Sequence, residues 1–235
     1  MLIRTLKLLL PFADYQPTET KLLQNKVFAI SKGHIERFKK HYVNADGQKK
    51  ESFEYPLVNF RSENGKGVLF ALNEGIDDLR LFYEKLNDKP VLKPLPALAQ
   101  WRETFHHVGL TPQSTIYRVF HCALLNSTNY ENYQHLDSGY KTELEQTIFL
   151  ENILSNQIIN FCNAMQYQFP KGQLWVRILD FEELGFDTFH TDNAASGKVP
   201  FLVFNITFRT NILLPDEISL GKEKAIGWGI VRKLT

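Results

Sequence analysis

Apolar positions along this chain recur with two periods, one of strands and one of helices. In Leu2–Leu10, Leu6, Leu8 and Leu10 fall on one side and Thr5 and Lys7 on the other, which predicts a strand. From Pro17 to Lys40 the pattern reads as mainly helical, interrupted at Ser31-Lys32-Gly33. Asn44-Ala45-Asp46-Gly47 is a turn, since Asn, Asp and Gly tolerate the backbone angles it needs. Phe53–Phe60 and Lys66–Leu72 are strand-like, and the Asn-Gly step in Glu63-Asn64-Gly65 between them signals a hairpin. Ile76, Leu79, Tyr83 and Leu86 then share one helical face. Strand, helix, strand, strand, helix is a ferredoxin-like β-α-β-β-α-β unit short of its last strand.

Pro90, Pro94 and Pro96 form a stiff stretch suited to a connection, and the expected domains are residues 1–100 and 101–235. In the second half, Ile116–Leu125, Leu174–Phe181, Val199–Arg209 and Ile226–Leu234 read as strands, and residues 183–198 as irregular. Ser138 is positioned to cap a long helix in which Leu150, Leu154, Ile158 and Phe161 recur at helical spacing. The expected class is α+β, with two tandem ferredoxin-like domains. The halves share element order but no sequence repeat. Tandem sheets of this kind often carry RNA, yet fold alone does not assign function.

Composition narrows the picture. The chain has 235 residues, 43% hydrophobic and 23% charged, the mix of a folded globular protein. Lys plus Arg is 27 and Asp plus Glu 26, a net charge of +1, which excludes holding nucleic acid by bulk charge alone. Aromatic residues are 13%, which favours sheet-rich packing. Cys122 and Cys162 lack partners at metal spacing and read as buried thiols of a reducing compartment, a disulfide between them being the minority reading. Arg4 and Lys7 interrupt the N-terminal leucines, so no signal peptide is expected there, and no stretch has the length to span a bilayer. The expectation is a soluble, cytoplasmic protein without membrane contact.

The chain carries no Walker loop, Rossmann fingerprint, HExxH or CxxC, and neither a metal site nor a cofactor is expected. The adjacent pair His106-His107 would diverge on a strand or a helix, so surface or half-buried histidines are the better reading there. Two segments are informative. In Lys26–Lys50, seven basic residues oppose Glu36 and Asp46, and His34 and His41 sit among them. Histidine transfers protons near neutral pH and lysine offsets phosphate charge; the bland alternative is a solvated basic helix face. In the tail, Gly221, Gly227 and Gly229 bracket Lys222, Glu223 and Lys224. Glycine lets backbone approach phosphates closely, while a glycine-rich β-hairpin is an equal reading. Trp228 there either stacks on a base or packs under the loop.

Six segments then resemble, in order, one family: the CRISPR-associated endoribonucleases of the "b" subtype that cut precursor CRISPR RNA within its repeats. Tyr55-Pro56-Leu57-Val58-Asn59-Phe60 is similar to "YPLIQYK", and Leu72-Asn73-Glu74-Gly75 to "INEG". Leu125-Asn126-Ser127-Thr128-Asn129-Tyr130 is similar to "LNxxNY", and Glu151-Asn152-Ile153-Leu154-Ser155 to "GNILS". The segment from Leu213 to Lys222 resembles "LPxxIGLGK", and Gly227-Trp228-Gly229 stands in place of a "GFG" step.

The resemblance implies two ferredoxin-like domains of the RRM-like, RAMP type and a metal-independent RNA cut. The ribose 2′-hydroxyl attacks the adjacent phosphorus, leaving a 2′,3′-cyclic phosphate and a 5′-hydroxyl. It implies His41 as the proton-transfer residue. The family's second histidine, two residues away, is absent, since Lys39 and Val43 flank His41 at that spacing. His34, Lys39 or Tyr42 fills the gap, or the protein grips repeat RNA without cutting it. Other departures are Ser219 in place of a loop glycine and Phe60-Arg61 in place of a tyrosine-lysine ending. The RNA contacts expected are Lys40, Lys49, Lys50, Gly221, Lys222, Lys224, Gly227, Trp228, Gly229 and Arg232. CRISPR repeat RNA is the expected partner, with a homodimer and handover to a CRISPR effector complex implied beside it.

Overall fold

A computed structural model describes residues 1–10, 20–31, 41–43, 49–51, 55–87, 100–136, 139–188 and 200–234, with the backbone alone at 41–43, 49–51, 136, 139 and 140. Two compact units emerge. One holds Leu2–His106 with Ala225–Gly227, and the other Met1, His107–Lys224 and Trp228–Thr235.

The N-terminal unit runs β1 (Leu2–Leu9), α1 (Thr20–Ile30), β2 (His41–Val43), β3 (Lys49–Glu51), β4 (Val58–Glu63), β5 (Lys66–Leu72), α2 (Gly75–Asn87) and β6 (Gln100–His107). Its main sheet has the order β4-β5-β1-β6, the ferredoxin-like arrangement. Leu6, Leu8 and Leu10 pack with Leu23 and Val27 of α1 and with Ile76, Leu79, Phe82 and Leu86 of α2. Phe82, not Tyr83, completes the buried stripe of α2. Tyr83 is half-buried and meets Trp101 edge-to-face, with centroids 4.7 Å apart. Strand β6 was not expected, because most of its residues are polar and exposed. On it, His106 Nε2 lies 2.9 Å from Thr104 Oγ1 and 3.2 Å from Thr5 Oγ1, which gives the ring a structural role.

The C-terminal unit runs β7 (Gly109–Cys122), α3 (Ser127–Gln134), β8 (His135–Leu136), β9 (Gly139–Tyr140), α4 (Glu143–Ala164), β10 (Val176–Thr188), β11 (Pro200–Leu213) and β12 (Ile230–Lys233); a 3₁₀ turn (Lys224–Ile226) precedes β12, and its Ala225 and Ile226 group with the N-terminal unit. The sheet order β10-β11-β7-β12 repeats the N-terminal order. Where a second helix would cross from the third strand to the fourth, residues 214–229 form a loop with only the 3₁₀ turn. Helix α4 begins later than Ser138 implied. Thr142 caps it in a reciprocal capping box with Glu145, while Ser138 lies outside the described residues. The expected stripe Leu150, Leu154, Ile158 and Phe161 is fully buried. Residues 183–188, expected to be irregular, continue β10 through a bulge, and 189–199 lie outside the described residues. Cys122 and Cys162 are free and buried, and burial pushes both thiols up to about 12. Among the described residues no helix is long and apolar enough to cross a membrane.

Several segments that carried the resemblance are structural joints. Asn126 caps α3, accepting from the Asn129 N–H at 2.6 Å. Asn73 accepts from the Arg4 N–H at 2.9 Å, which ties the turn between β5 and α2 back to β1. Glu151 stands where the family pattern has glycine. Its carboxylate accepts from the Ile178 N–H at 2.9 Å and from Arg177 Nη1 at 3.0 Å, and so holds α4 to the bulge in β10.

Candidate functional site

The N-terminal candidates lie on an insertion between α1 and β4. Strands β2 and β3 pair antiparallel, with His41 opposite Glu51, Tyr42 opposite Lys50 and Val43 opposite Lys49. This register brings His41 and Tyr42 beside Lys49 and Lys50 on one small ribbon. His34, Lys39 and Lys40 lie outside the described residues, as does the turn expected at 44–47.

In the C-terminal unit the glycine-rich loop folds back on the end of β7. The Lys222 N–H donates to the Ala123 carbonyl at 2.7 Å, Leu220 N–H to Gly229 at 2.8 Å, and Gly229 N–H to His121 at 3.1 Å. Glycine is required for this closure. Gly229 has φ +69°, and a Cβ there would lie 1.7 Å from the Leu220 carbonyl oxygen. Gly221 has φ +98°, and its Cβ would meet Cys122 Sγ at 2.7 Å. The N–H groups of Leu220, Lys222 and Gly229 are therefore spent inside the fold, and this part of the loop is a tight backbone joint with hairpin-like pairing.

The side chains of this region divide sharply. Trp228 is buried at 6% exposure, packs with Ala123 and Val203, and meets His121 edge-on at 4.8 Å. Of its two expected uses, packing under the loop is the one found. Arg232 Nη1 donates to Asp216 at 3.2 Å and to Glu217 at 2.5 Å. Burial pulls its pKa down, but the two carboxylates outweigh that and raise it. Its charge is paired within the unit. Lys224 Nζ donates to Gln157 Oε1 at 3.3 Å, and burial lowers its pKa. Lys222 is half-buried as a residue, and its ammonium lies 5.9 Å from the Phe201 ring centre. Gly227 groups with the N-terminal unit, beside Phe60 and Arg61 of β4.

Two further pairs escaped the sequence. Tyr133 on α3 donates a short hydrogen bond to Glu183 on β10, and burial followed by that carboxylate raises the phenol's pKa. His121 Nε2 lies 2.8 Å from Asp187 Oδ2. The signal available for His121 was a break in alternation: Tyr117 and Val119 are two apart, but the next buried position is Cys122.

The sequence model of the Cas6b C-terminal domain matches residues 109–234, from the first residue of β7 to just past β12. No curated protein matches the sequence. Among solved structures, a crystal structure of Cas6b is 19% identical, covers 100% of both chains and superposes with a TM-score of 0.76. A crystal structure of the CRISPR RNA processing endoribonuclease Cas6b is 18% identical over 100% of both chains, with a TM-score of 0.69. Csf5, a CRISPR-Cas type IV Cas6 crRNA endonuclease, is 12% identical over 100% of both chains, with a TM-score of 0.60. At these identities the structural likeness is one of fold, and it agrees with tandem ferredoxin-like domains. The sequence match covers more than half of the 235 residues and decides the family. The chain belongs to the Cas6b family.

Proposed function

We propose that the protein is an endoribonuclease that cuts precursor CRISPR RNA within its repeats. The observation that carries this reading is the match of residues 109–234 to the Cas6b C-terminal domain. Two similar solved proteins, named as a CRISPR RNA processing endoribonuclease and a crRNA endonuclease, supply the reaction class. In this reading the 2′-hydroxyl attacks the adjacent phosphorus in line and no metal takes part. His41 on β2 moves a proton to or from the reacting oxygens. Tyr42, or Lys39 or His34 from the preceding segment, supplies the complementary group. Lys40, Lys49 and Lys50 offset the charge that builds on the non-bridging oxygens. In the C-terminal unit, Lys222 carries the phosphate contact, with Gly221 and Gly229 as the scaffold that sets its backbone. Homodimer formation and delivery of the product to a CRISPR effector complex, in the cytoplasm, belong to the same reading.

The second reading is a repeat-RNA-binding protein that does not cut. It is favoured by Lys39 and Val43, which occupy the places at which the family's histidine partner would stand. Incubating the pure protein with repeat RNA in EDTA separates the two. A product ending in a 2′,3′-cyclic phosphate supports the nuclease, and stable binding with intact RNA selects the other.

A further inference from the structure

Strand β7 carries an irregularity beside the glycine loop. Val119 pairs with Ile206 and Cys122 with Phe204, so Asn205 alone opposes both Phe120 and His121. Val119, Cys122, Ile206 and Phe204 are all at 0% exposure. Between them Phe120 is 40% exposed, and the His121 side chain is 41% exposed. A β-bulge of this kind turns two consecutive side chains away from the core, and bulges commonly re-aim side chains beside functional sites. His121 takes φ +51°, uncommon for a residue with a Cβ, and its displaced N–H is caught by Asn205 Oδ1 at 3.1 Å. The imidazole is fixed on two sides, by Asp187 Oδ2 at 2.8 Å from Nε2 and by the edge-on Trp228 ring. Arg118 lies on the same strand, its guanidinium 5.3 Å from the Phe120 ring centre and ion-paired at 3.8 Å with Glu182, whose side chain is largely exposed.

We infer that this bulge is a nucleotide seat: Phe120 stacks on an unpaired base of the bound RNA, and His121 presents Nδ1 to the same nucleotide. The inference rests on the RNA-cutting reading above and names a contact within it. An exposed ring on the first strand of a four-stranded sheet is a stacking platform for single-stranded bases, tolerant of sequence because every base has a flat face. Asp187 engages Nε2 and so leaves Nδ1 as the ring's open edge. Arg118 brings positive charge to where the nucleotide's phosphate would lie. The His121 carbonyl accepts the Gly229 N–H, so the seat and the glycine loop are joined through one residue.

The test uses the full chain and repeat RNAs carrying 2-aminopurine at single unpaired positions, read by fluorescence quenching and by anisotropy. The wild type is expected to quench at one position or more. Phe120→Ala should lose that quench and weaken binding about tenfold, the scale of one stacked base. Phe120→Trp should restore both. Phe120→Leu keeps the apolar bulk and guards against misfolding; it too should lose the quench. His121→Asn tolerates the left-handed φ and should weaken binding about threefold, with the quench retained. Wild-type affinity and an unchanged quench pattern in Phe120→Ala and Phe120→Leu would overturn the seat while leaving the RNA-cutting reading intact. A wild type that binds no repeat RNA would overturn both.

Discussion

The two units share a strand order and differ in where they depart from it. The N-terminal sheet is backed by α1 and α2, and its irregular insertion, the β2–β3 ribbon, lies between the first helix and the second main strand. The C-terminal unit keeps one long helix, α4, and departs between its third and fourth strands, where the glycine-rich loop takes the place of a helix. A shared scaffold with different departures is how one fold hosts different chemistry. In the proposed reading the labour is divided, with proton transfer on the N-terminal insertion and grip on the C-terminal loop and bulge.

That division is broken or sharpened by separating cutting from binding. His41→Ala should slow repeat cleavage by about 10²- to 10⁴-fold, the range for loss of a general acid or base, with repeat affinity within about twofold of wild type. Parallel loss of binding would undo the division. The next largest effect belongs to the loop. Gly229→Ala forces a Cβ into the Leu220 carbonyl and should cost about 3 kcal/mol or more in denaturant unfolding. Glu151→Ala leaves the Ile178 N–H without its acceptor and should cost about 2 kcal/mol by the same measurement. A smaller effect is expected at Lys222→Ala, which should weaken repeat binding and flatten the salt dependence by about 0.7 in log–log slope, one phosphate contact to single-stranded RNA. Lys224→Ala should do less, since that ammonium is directed at Gln157.

A pH experiment tests the core of the C-terminal unit. Cys122 and Cys162 have thiol pKa values raised to about 12, while unfolded thiols ionise near 8.5. Groups raised in the folded state contribute stability that is complete below the unfolded value and is lost as pH climbs towards the folded one. The melting temperature should therefore fall between about pH 8.5 and pH 12. Cys122→Ala combined with Cys162→Ala should make that fall shallower. An equally steep fall in the double variant would place its origin elsewhere.

What the sequence made legible follows from the range of each interaction. The buried stripe of α4 depends on spacing within one helix, and the hairpin of β4 and β5 on one Asn-Gly step, so both could be read locally. Strand β6 could not, since Arg102, Glu103, Thr104, His106 and His107 carry no apolar alternation; its place comes from β1. The burial of Trp228 depends on Ala123 and Val203, and the fixing of His121 on Asp187, contacts distant in sequence. The six family-like segments were legible as a set although several serve as caps and joints, because a fold's joints are as specific to it as its site.

The two buried thiols have a practical consequence. A folded molecule presents neither sulfur to a maleimide or an aromatic disulfide, so such reagents react only when the core opens. The slow appearance of labelled protein then becomes a clock for opening events, and RNA that binds the closed form should slow that clock. A cysteine introduced at the exposed Phe186 would label first and alone, giving a single dye position on β10 from which RNA docking can be followed by energy transfer.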